Sequence, residues 1–403
     1  MKFSKASQLF LVSSIGLLVA TCLTACQIVT IDYVFVANSA GSGSGSAGQI
    51  ETYAVDSESG AIRSVTTPAA TGTNGASAMA VSSDYNHLYV ANKGNNSVIH
   101  FTIAASGVVT KADAVTLGAA PVSLAVNAAG TYLYVVSGTT SATLTEYALS
   151  SGAIGAVTAQ QQLNIPGYTG DTVIPTGVTV LANNAAVYAS VYDQSAYNPG
   201  GATTSSANPG WVFGFSIGSG GALTAAASSP YKAGVKPSAL AADPTSRFVY
   251  VTDFASSQLI GYGITGGSTL NFLINGPFKT GNQPIALAID PRGKFIYTAN
   301  ALDSTVSAYT IDLTNGTPSG AVNPTGSALN STDTQPVAIA IDPALGRFVY
   351  TANYLGNSIS GFRMDPTAGT LTTTQATPYP TGSEPSALAI VPHGNHSVQV
   401  TTP

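Results

Sequence analysis

The sequence predicts an all-β fold, a seven-bladed β-propeller with four-stranded antiparallel blades, on three observations. A short aromatic-aliphatic run recurs seven times, at intervals of 45 to 62 residues. Each interval holds further short strand patterns separated by Gly, Pro, Asn and Asp turns. No window after position 30 has a helical period, and repeats of this length are typical of propellers. The aligned aromatic residues are Phe35, Tyr89, Tyr134, Tyr188, Tyr250, Tyr297 and Tyr350.

The composition agrees with a turn-rich β protein and excludes some functions. The 403 residues include 42 Gly and 22 Pro, and only 8% are charged. The formal net charge is −5, and Lys and Arg are not clustered. Because neutralising phosphates requires many basic contacts, we expect no nucleic-acid binding.

Residues 1–25 are predicted to be a lipoprotein signal peptide. Lys2 and Lys5 give a positive start, and the apolar stretch from Leu9 to Ala20 is too short to span a bilayer comfortably. The segment that ends at Cys26 resembles a bacterial lipobox, in which the Cys is lipidated. We predict an exported protein that is held on a bacterial membrane by lipid on Cys26 through a tether of residues 26–31. An ordinary cleavage site with an incidental Cys is the alternative.

Gln27 stands where an Asp would mark inner-membrane retention in some bacteria. The outer membrane or cell surface is therefore the favoured location.

The repeat predicts one propeller domain over residues 32–400. In the clearest units an inner strand follows a Pro, and an Asp-Pro pair then makes a tight turn. These Asp residues are interpreted as turn residues rather than metal ligands, and no metal or other cofactor is predicted. They are Asp243, Asp290 and Asp342.

The two ends of the chain each supply part of one blade. Tyr33 to Asn38 has no inner strand before it, and Glu384 to Ile390 has no complete blade after it. We predict that the last inner strand joins the first blade and closes the ring, which leaves no open sheet edge. The segment from His396 to Val400 is either a tail or an additional strand of the closing blade.

The repeat resembles that of YVTN-type β-propellers and, more closely, that of the seven-bladed lactonase family, which includes 6-phosphogluconolactonases. The resemblance covers about residues 32–400 and is closest from Gln283 to Tyr309. It implies hydrolysis of sugar-acid lactones, which requires a base and a donor for the developing oxyanion. In catalytic members the matching blade carries Pro-Arg-His at the inner strand and Asn-Glu-Leu at the end of the second strand.

The charged residues of that pattern are missing here. The matching positions carry Ile285, Ala286 and Ala301. None of the four histidines lies at the start of an inner strand; they are His87, His100, His393 and His396. We therefore transfer no catalytic residue from the family, and whether the chain is an enzyme stays open.

Polar residues recur at two positions that meet at one end of the predicted channel. One precedes the inner-strand Pro, and the other ends the second strand. Amides with a few charges predict a shallow site for polyols, sugars or peptide backbone. Alternatively, each Asn or Asp caps its own strand and turn. The predicted ligand-binding residues are Lys236, Asp253, Gln283, Asn300, Gln335, Asn353, Glu384 and Asn38.

Two long loops lie on the same side of the predicted ring. They run from Ser39 to Ala47 and from Asp193 to Gly210, and the second contains Tyr197. Long loops on a rigid scaffold often carry recognition. Trp211, at the exit of the second loop, is expected to pack at a strand start rather than to serve as a ligand platform.

Three functions are compatible with these features. The first is a lipid-anchored envelope propeller that binds a polysaccharide, peptide or protein without catalysis. The second is a lactonase with a changed active site, for instance one that uses Lys236 and Asp253. The third is a structural component of the cell surface. The missing Arg, His and Glu favour the first or third, and we expect a monomer.

Overall fold

The computed structural model describes residues 29–40, 48–72, 75–167, 172–196, 209–320, 329–399 and 401. They form seven antiparallel sheets, which confirms the predicted all-β, seven-bladed propeller. The predicted signal peptide, Cys26, Tyr197 and most of the two long loops lie outside the described residues. Helix within the described ranges is limited to three short 3-10 turns, η1 (Lys93–Asn95), η2 (Ser219–Gly221) and η3 (Gly394–Val398). None of the described helices is long and apolar enough to cross a membrane.

The blades are numbered in chain order, and each starts at the channel except blade one, which contains both chain ends. Blade one begins with β1 (Thr30–Asn38), β2 (Gln49–Asp56), β3 (Ile62–Ser64) and β4 (Ala69–Ala70). Blade two holds β5 (Ala76–Val81), β6 (His87–Asn92), β7 (Ser97–Ile103) and β8 (Val109–Thr116). Blade three holds β9 (Pro121–Val126), β10 (Tyr132–Ser137), β11 (Thr143–Ser150) and β12 (Ala153–Gln162).

In blades four to seven, as in blade one, the outer edge is made of two short strands. Blade four holds β13 (Val173–Val180), β14 (Ala186–Asp193), β15 (Gly210–Ile217), β16 (Leu223–Ala225) and β17 (Tyr231–Lys232). Blade five holds β18 (Pro237–Ala242), β19 (Phe248–Asp253), β20 (Gln258–Thr265), β21 (Thr269–Phe272) and β22 (Phe278–Lys279). Blade six holds β23 (Pro284–Ile289), β24 (Phe295–Asn300), β25 (Thr305–Ile311), β26 (Pro318–Gly320) and β27 (Leu329–Ser331). Blade seven holds β28 (Pro336–Ile341), β29 (Phe348–Asn353), β30 (Ser358–Met364), β31 (Leu371–Thr373) and β32 (Tyr379–Pro380), and β33 (Pro385–Pro392) returns to blade one.

The ring closes as predicted, through the last strand. β33 pairs antiparallel with β1, from Asp32 opposite Pro392 to Asn38 opposite Pro385. The seven inner strands contact one another in a closed cycle, β5, β9, β13, β18, β23, β28 and β33. The segment after β33 is not the additional strand that the sequence left open, because residues 394–398 form η3.

The recurring aromatic residue forms the interface between blades. All seven aligned rings are fully buried on second strands whose two faces are covered. In five blades the tyrosine hydroxyl donates to a backbone carbonyl of the next blade, at 2.6 to 2.9 Å. Each hydroxyl therefore adds a satisfied buried hydrogen bond to the packing of its ring.

The residue two positions before the aligned aromatic makes a second contact between blades. A Cβ on Gly369 would lie 2.2 Å from the ring of Phe295, and one on Gly60 would lie 2.4 Å from the ring of Phe348. Both glycines have positive φ, in the hairpin at the outer edge of the next blade. His87 occupies this ring position in blade two, against Gly152, so it packs between blades rather than facing the channel.

The strand directions define two faces of the ring. Inner strands start at the mouth face, where Lys236 precedes β18, and end at the turn face, where Asp243 begins the turn into β19. Second strands run back to the mouth face. β1 is a second strand, so Thr30 lies at the turn face and Asn38 at the mouth face.

Candidate ligand-binding funnel

A cavity of about 800 Å³ opens at the mouth face, between the starts of the inner strands. Its wall is built mainly from small residues, because seven strands converge there. Three of the wall serines join neighbouring inner strands. Ser238 Oγ donates to the Pro284 carbonyl and Ser386 Oγ to the Ala76 carbonyl, both at 2.6 Å, while Ser77 Oγ lies 3.3 Å from the Pro121 carbonyl. These hydroxyls hold the ring together.

The charged side chains among the described residues of this wall are Lys93 and Lys236. The Lys236 ammonium lies 5.3 Å from the ring centroid of Tyr192 and 4.8 Å from that of Phe254, within the range of cation–π attraction. Tyr354 also lines the cavity. Desolvation lowers the pKa of both lysines, but Lys236 is half-buried whereas the Lys93 side chain is exposed. The funnel therefore presents two ammonium groups, of which that of Lys236 lies beside aromatic rings.

The aligned residues at the ends of the second strands lie beneath the rim and are fully buried. Asp253 accepts from the backbone nitrogens of Val235 and Lys236, each at 2.9 Å, and from Gln258 Nε2 at 3.0 Å. Asn300 Nδ2 donates to two hydroxyls of its own blade at 3.0 and 2.9 Å, and Asn353 Nδ2 does the same. Asp253 thus bonds to the segment before β18 and to β20, Asn300 and Asn353 bond to the third strands of their blades, and none of the three lines the cavity.

Asn38 is the exception in this aligned set. It is also fully buried, but neither of its side-chain polar atoms has a hydrogen-bond partner among the described residues. It belongs to the closing blade and leads into residues 41–47, which lie outside the description.

The predicted residues before the inner-strand Pro have a constrained backbone. Gln283, Gln335 and Glu384 have φ of 55°, 58° and 58°, in the left-handed region. All three are half-buried and lie beside, rather than on, the cavity wall. Burial raises the pKa of Tyr354, and the adjacent Glu384 carboxylate, which accepts its hydrogen bond, raises it further. Of the eight predicted residues, Lys236 lines the cavity. Asp253, Gln335 and Glu384 each contact a residue that does.

Sequence reasoning missed Lys93, Tyr192, Phe254 and Tyr354. Three of them share one signal, since Lys93, Phe254 and Tyr354 each directly follow the aligned polar residue that ends a second strand. The repeat hides this position because its residue type changes from blade to blade. In the catalytic lactonases that the repeat resembles, the same position carries the Glu of the Asn-Glu-Leu pattern.

The structure shows where the three apolar residues lie that replace the family's charged pattern. Ile285 and Ala286 line the cavity, and Ala301 is buried with its backbone nitrogen 2.9 Å from the Gln283 carbonyl. Trp211 is half-buried in β15 and packs against the core between blades three and four. Within the described part of the chain, no carboxylate, imidazole or guanidinium lines the cavity.

Comparisons with known proteins agree with this architecture. The profile of the seven-bladed β-propeller lactonases matches residues 46–169 and 232–400. The periplasmic gluconolactonase of Pseudomonas aeruginosa is similar in structure, with 21% identity, a TM-score of 0.72, and coverage of 90% of this chain and 99% of that one. A Bacteroides fragilis protein provisionally assigned as a 6-phosphogluconolactonase has 19% identity, a TM-score of 0.70, and coverage of 90% and 98%.

A search of curated proteins gives no match. At these identities the similar structures establish the fold alone, whereas the family profile covers most of the propeller. The chain therefore belongs to the seven-bladed β-propeller lactonase family.

Proposed function

We propose that this protein is a non-catalytic binding propeller of the bacterial cell envelope, whose funnel holds an acidic polysaccharide. The observation that carries the proposal is the placement of Lys93 and Lys236 as the charged groups of the described cavity wall. Ammonium groups in a partly desolvated funnel attract carboxylates more strongly than they would in open water.

The aromatic rings favour a saccharide over a simple anion. Tyr192, Phe254 and Tyr354 offer apolar faces with a polar edge nearby, and flat sugar faces pack on such rings. A cavity of about 800 Å³ lies within the usual range for small-molecule sites, and its open mouth admits a chain that continues outside. Carboxylated sugars such as uronic acids combine both chemistries.

The wall argues against the family's hydrolytic reaction. Opening a lactone requires a base for the attacking water and a donor for the oxyanion. The family positions for these groups are Ile285, Ala286 and Ala301. The wall serines are already used in hydrogen bonds between blades. Binding without turnover is therefore the function that fits these residues best.

Isothermal titration with an oligogalacturonate tests this proposal. We expect Lys236→Ala and Lys93→Ala each to weaken binding about tenfold, equivalent to about 1.4 kcal/mol, with little loss of stability. Lys111→Ala, which removes an exposed lysine on β8, is the matched control and is expected to bind like the parent. A neutral maltooligosaccharide of equal length is expected to bind weakly to all four proteins. Equal affinity of the parent and both funnel variants would exclude the proposed site.

Lactone hydrolysis is the second candidate, and one observation favours it. Desolvation lowers the pKa of Lys236, which increases the neutral fraction that can accept a proton from water. The attacking oxygen would bond to the carbonyl carbon while Lys236 takes the proton from water. The ring C–O bond would then break, and that proton would pass to the leaving ring oxygen to give the hydroxy acid. Turnover of glucono-1,5-lactone that is abolished in Lys236→Ala would establish this function in place of the first.

The proposed lipid anchor would orient the funnel away from the membrane. β1 starts at Thr30 on the turn face, so a lipidated Cys26 would be joined there by three intervening residues, each spanning at most about 3.5 Å. The mouth face would then point outward, from the outer membrane or the cell surface. Replacing Cys26 with Ser should move the protein from the membrane to the soluble fraction. Unchanged membrane association of that variant would contradict the anchor without affecting the binding proposal.

A further inference from the structure

Three buried side chains from distant parts of the chain meet at the turn face, where the ring closes. Asp32 comes from β1 in blade one, Asp342 from the turn after β28 in blade seven, and His396 from η3. His396 Nε2 lies 3.0 Å from Asp342 Oδ1 and 3.4 Å from Asp32 Oδ1. Both carboxylates are fully buried, and His396 is 3% exposed. We call this group the seam cluster.

Asp342 has the same turn role as its counterparts in the preceding blades. Asp243 and Asp290 each accept two backbone N–H bonds on Oδ1, at 2.7 to 2.8 Å, from the residues that start the next strand. Asp342 accepts from the backbone nitrogens of Ala344 at 2.9 Å and Arg347 at 3.0 Å. Its presence therefore follows from the repeat and needs no further explanation.

Asp32 has no such explanation. The position three residues before the aligned aromatic carries Arg247, Lys294 and Arg347 in blades five to seven. Neither oxygen of Asp32 accepts a hydrogen bond from any described residue. A buried carboxylate without hydrogen bonds is strongly destabilising. A bound group that interacts with the Asp32 carboxylate would offset this destabilisation.

The charge balance points to a cation. Two buried carboxylates face a single imidazole, and the nearby Arg347 guanidinium donates instead to the Ser57 carbonyl at 2.8 Å. Among the described residues, no guanidinium or ammonium group forms an ion pair with either carboxylate.

We propose that the seam cluster is a divalent metal site, with Zn²⁺ the best match, that fastens the C-terminal tail across the closing seam. One imidazole nitrogen and two carboxylate oxygens are common ligands of zinc. A divalent ion with a neutral imidazole balances both carboxylates. Asp32 Oδ2 has no other partner in the described chain and is available as a fourth donor.

The surroundings fit a structural metal. His396 Nδ1 lies 2.8 Å from Gln399 Oε1, which orients the ring as outer-shell partners of metal-bound histidines do. The tail already bridges the seam, since His393 N donates to the Ile31 carbonyl at 2.6 Å and Thr401 N to the Ala344 carbonyl at 3.2 Å. A metal there would join blade one, blade seven and the tail at a single point.

The test measures zinc content and thermal stability of the full-length protein. The protein is stripped with EDTA in mild denaturant, which opens the tail, and is then returned to buffer with one equivalent of Zn²⁺. We expect one zinc per chain by elemental analysis and a melting temperature several degrees above that of the stripped protein. Bound Co²⁺ should give the visible absorption of a low-coordinate site.

Variants separate the site from adventitious binding. Asp32→Asn keeps the size of the side chain and removes the uncompensated charge, so it should fold while losing both zinc and the zinc-dependent rise in melting temperature. His396→Ala should lose both as well. His393→Ala removes the other tail histidine, whose ring packs at 4.9 Å from that of Tyr33, and should keep both. Failure of the parent to retain zinc, or zinc retention by Asp32→Asn and His396→Ala, would overturn the proposal.

Discussion

The two faces of the propeller use the same repeat differently. At the mouth face the aligned Asn and Asp residues are buried in their own blades, and the variable residues that follow them, such as Lys93 and Phe254, line the cavity. At the turn face the aligned Asp residues are again satisfied locally, and only the seam adds Asp32 and His396.

In this fold, the polar residues that recur in most blades have structural roles, and the candidate binding residues lie at positions that vary between blades. A polar residue found in most blades satisfies a backbone requirement that every blade has. A polar residue found in one blade has no such requirement to meet. The departures from the repeat are therefore where binding chemistry is to be sought, and the following predictions test that division.

The largest effect is expected from a recurrent glycine between blades. Gly369→Ala would place a Cβ 2.2 Å from the Phe295 ring at a φ of +70°, and should destabilise the protein by about 4 kcal/mol. Gly266→Ala is the matched control, since φ is +57° but nothing lies within 4 Å. It should cost about 1 kcal/mol. Urea unfolding measures both, and equal losses would show that the contact between blades is unimportant.

A recurrent polar residue should matter for stability more than for binding chemistry. Asp253→Ala leaves the backbone nitrogens of Val235 and Lys236 without their acceptor, and should cost about 3 kcal/mol. Asp365→Ala is the control, because Asp365 also accepts two backbone N–H bonds but in an exposed turn. Its loss should be about 1 kcal/mol. An unchanged free energy of unfolding in Asp253→Ala would contradict this structural role and would make Asp253 a candidate ligand contact again.

A smaller loss is expected from one hydroxyl between blades. Tyr350→Phe removes the donor to the Gly60 carbonyl at 2.7 Å, in a fully buried interface, and should cost about 1.5 kcal/mol. Tyr354→Phe, at the cavity wall, should change the free energy of unfolding by less than about 0.5 kcal/mol. Chemical unfolding of the two variants side by side would reveal any reversal of this order.

The pH dependence of binding should give the smallest effect. The protonated Lys236 ammonium attracts a carboxylate, and burial lowers its pKa. Affinity for oligogalacturonate should therefore fall a few-fold as the pH rises, beginning below the pH at which an ordinary lysine titrates. Titrations at constant ionic strength test this, and Lys236→Ala should weaken the dependence. A flat profile up to pH 10 would contradict the role of this lysine.

The sequence predicts most of the fold because each blade repeats the same physical requirements. Three features recur: the buried aromatic residue, the Pro that starts an inner strand and the Asp-Pro turn. Because they recur, a strand that is poorly marked in one blade can be assigned from its counterparts in the other blades. The closing strand was predictable because Tyr33 to Asn38 lacked an inner strand and Glu384 to Ile390 lacked a blade.

The site was harder to predict, because side-chain direction at a strand end depends on the backbone of the following turn. Gln283 and Gln335 adopt left-handed φ values beside the cavity, whereas Lys93 and Tyr354 reach its wall from a position with no recurring residue type. The seam cluster was missed for another reason. Asp32 departs from the basic residue that later blades carry at its repeat position, and His396 lies after the last repeat. No local pattern indicates that the tail returns to blade one.

The measurement that tests the account most directly is the affinity of the Lys93→Ala/Lys236→Ala double variant for oligogalacturonate, determined together with its free energy of unfolding. We predict a loss of affinity of about a hundredfold, the product of two tenfold effects at independent contacts, with unfolding unchanged within about 0.5 kcal/mol. Parent-like affinity in a stably folded double variant would contradict the assignment of the funnel as an acidic-saccharide site.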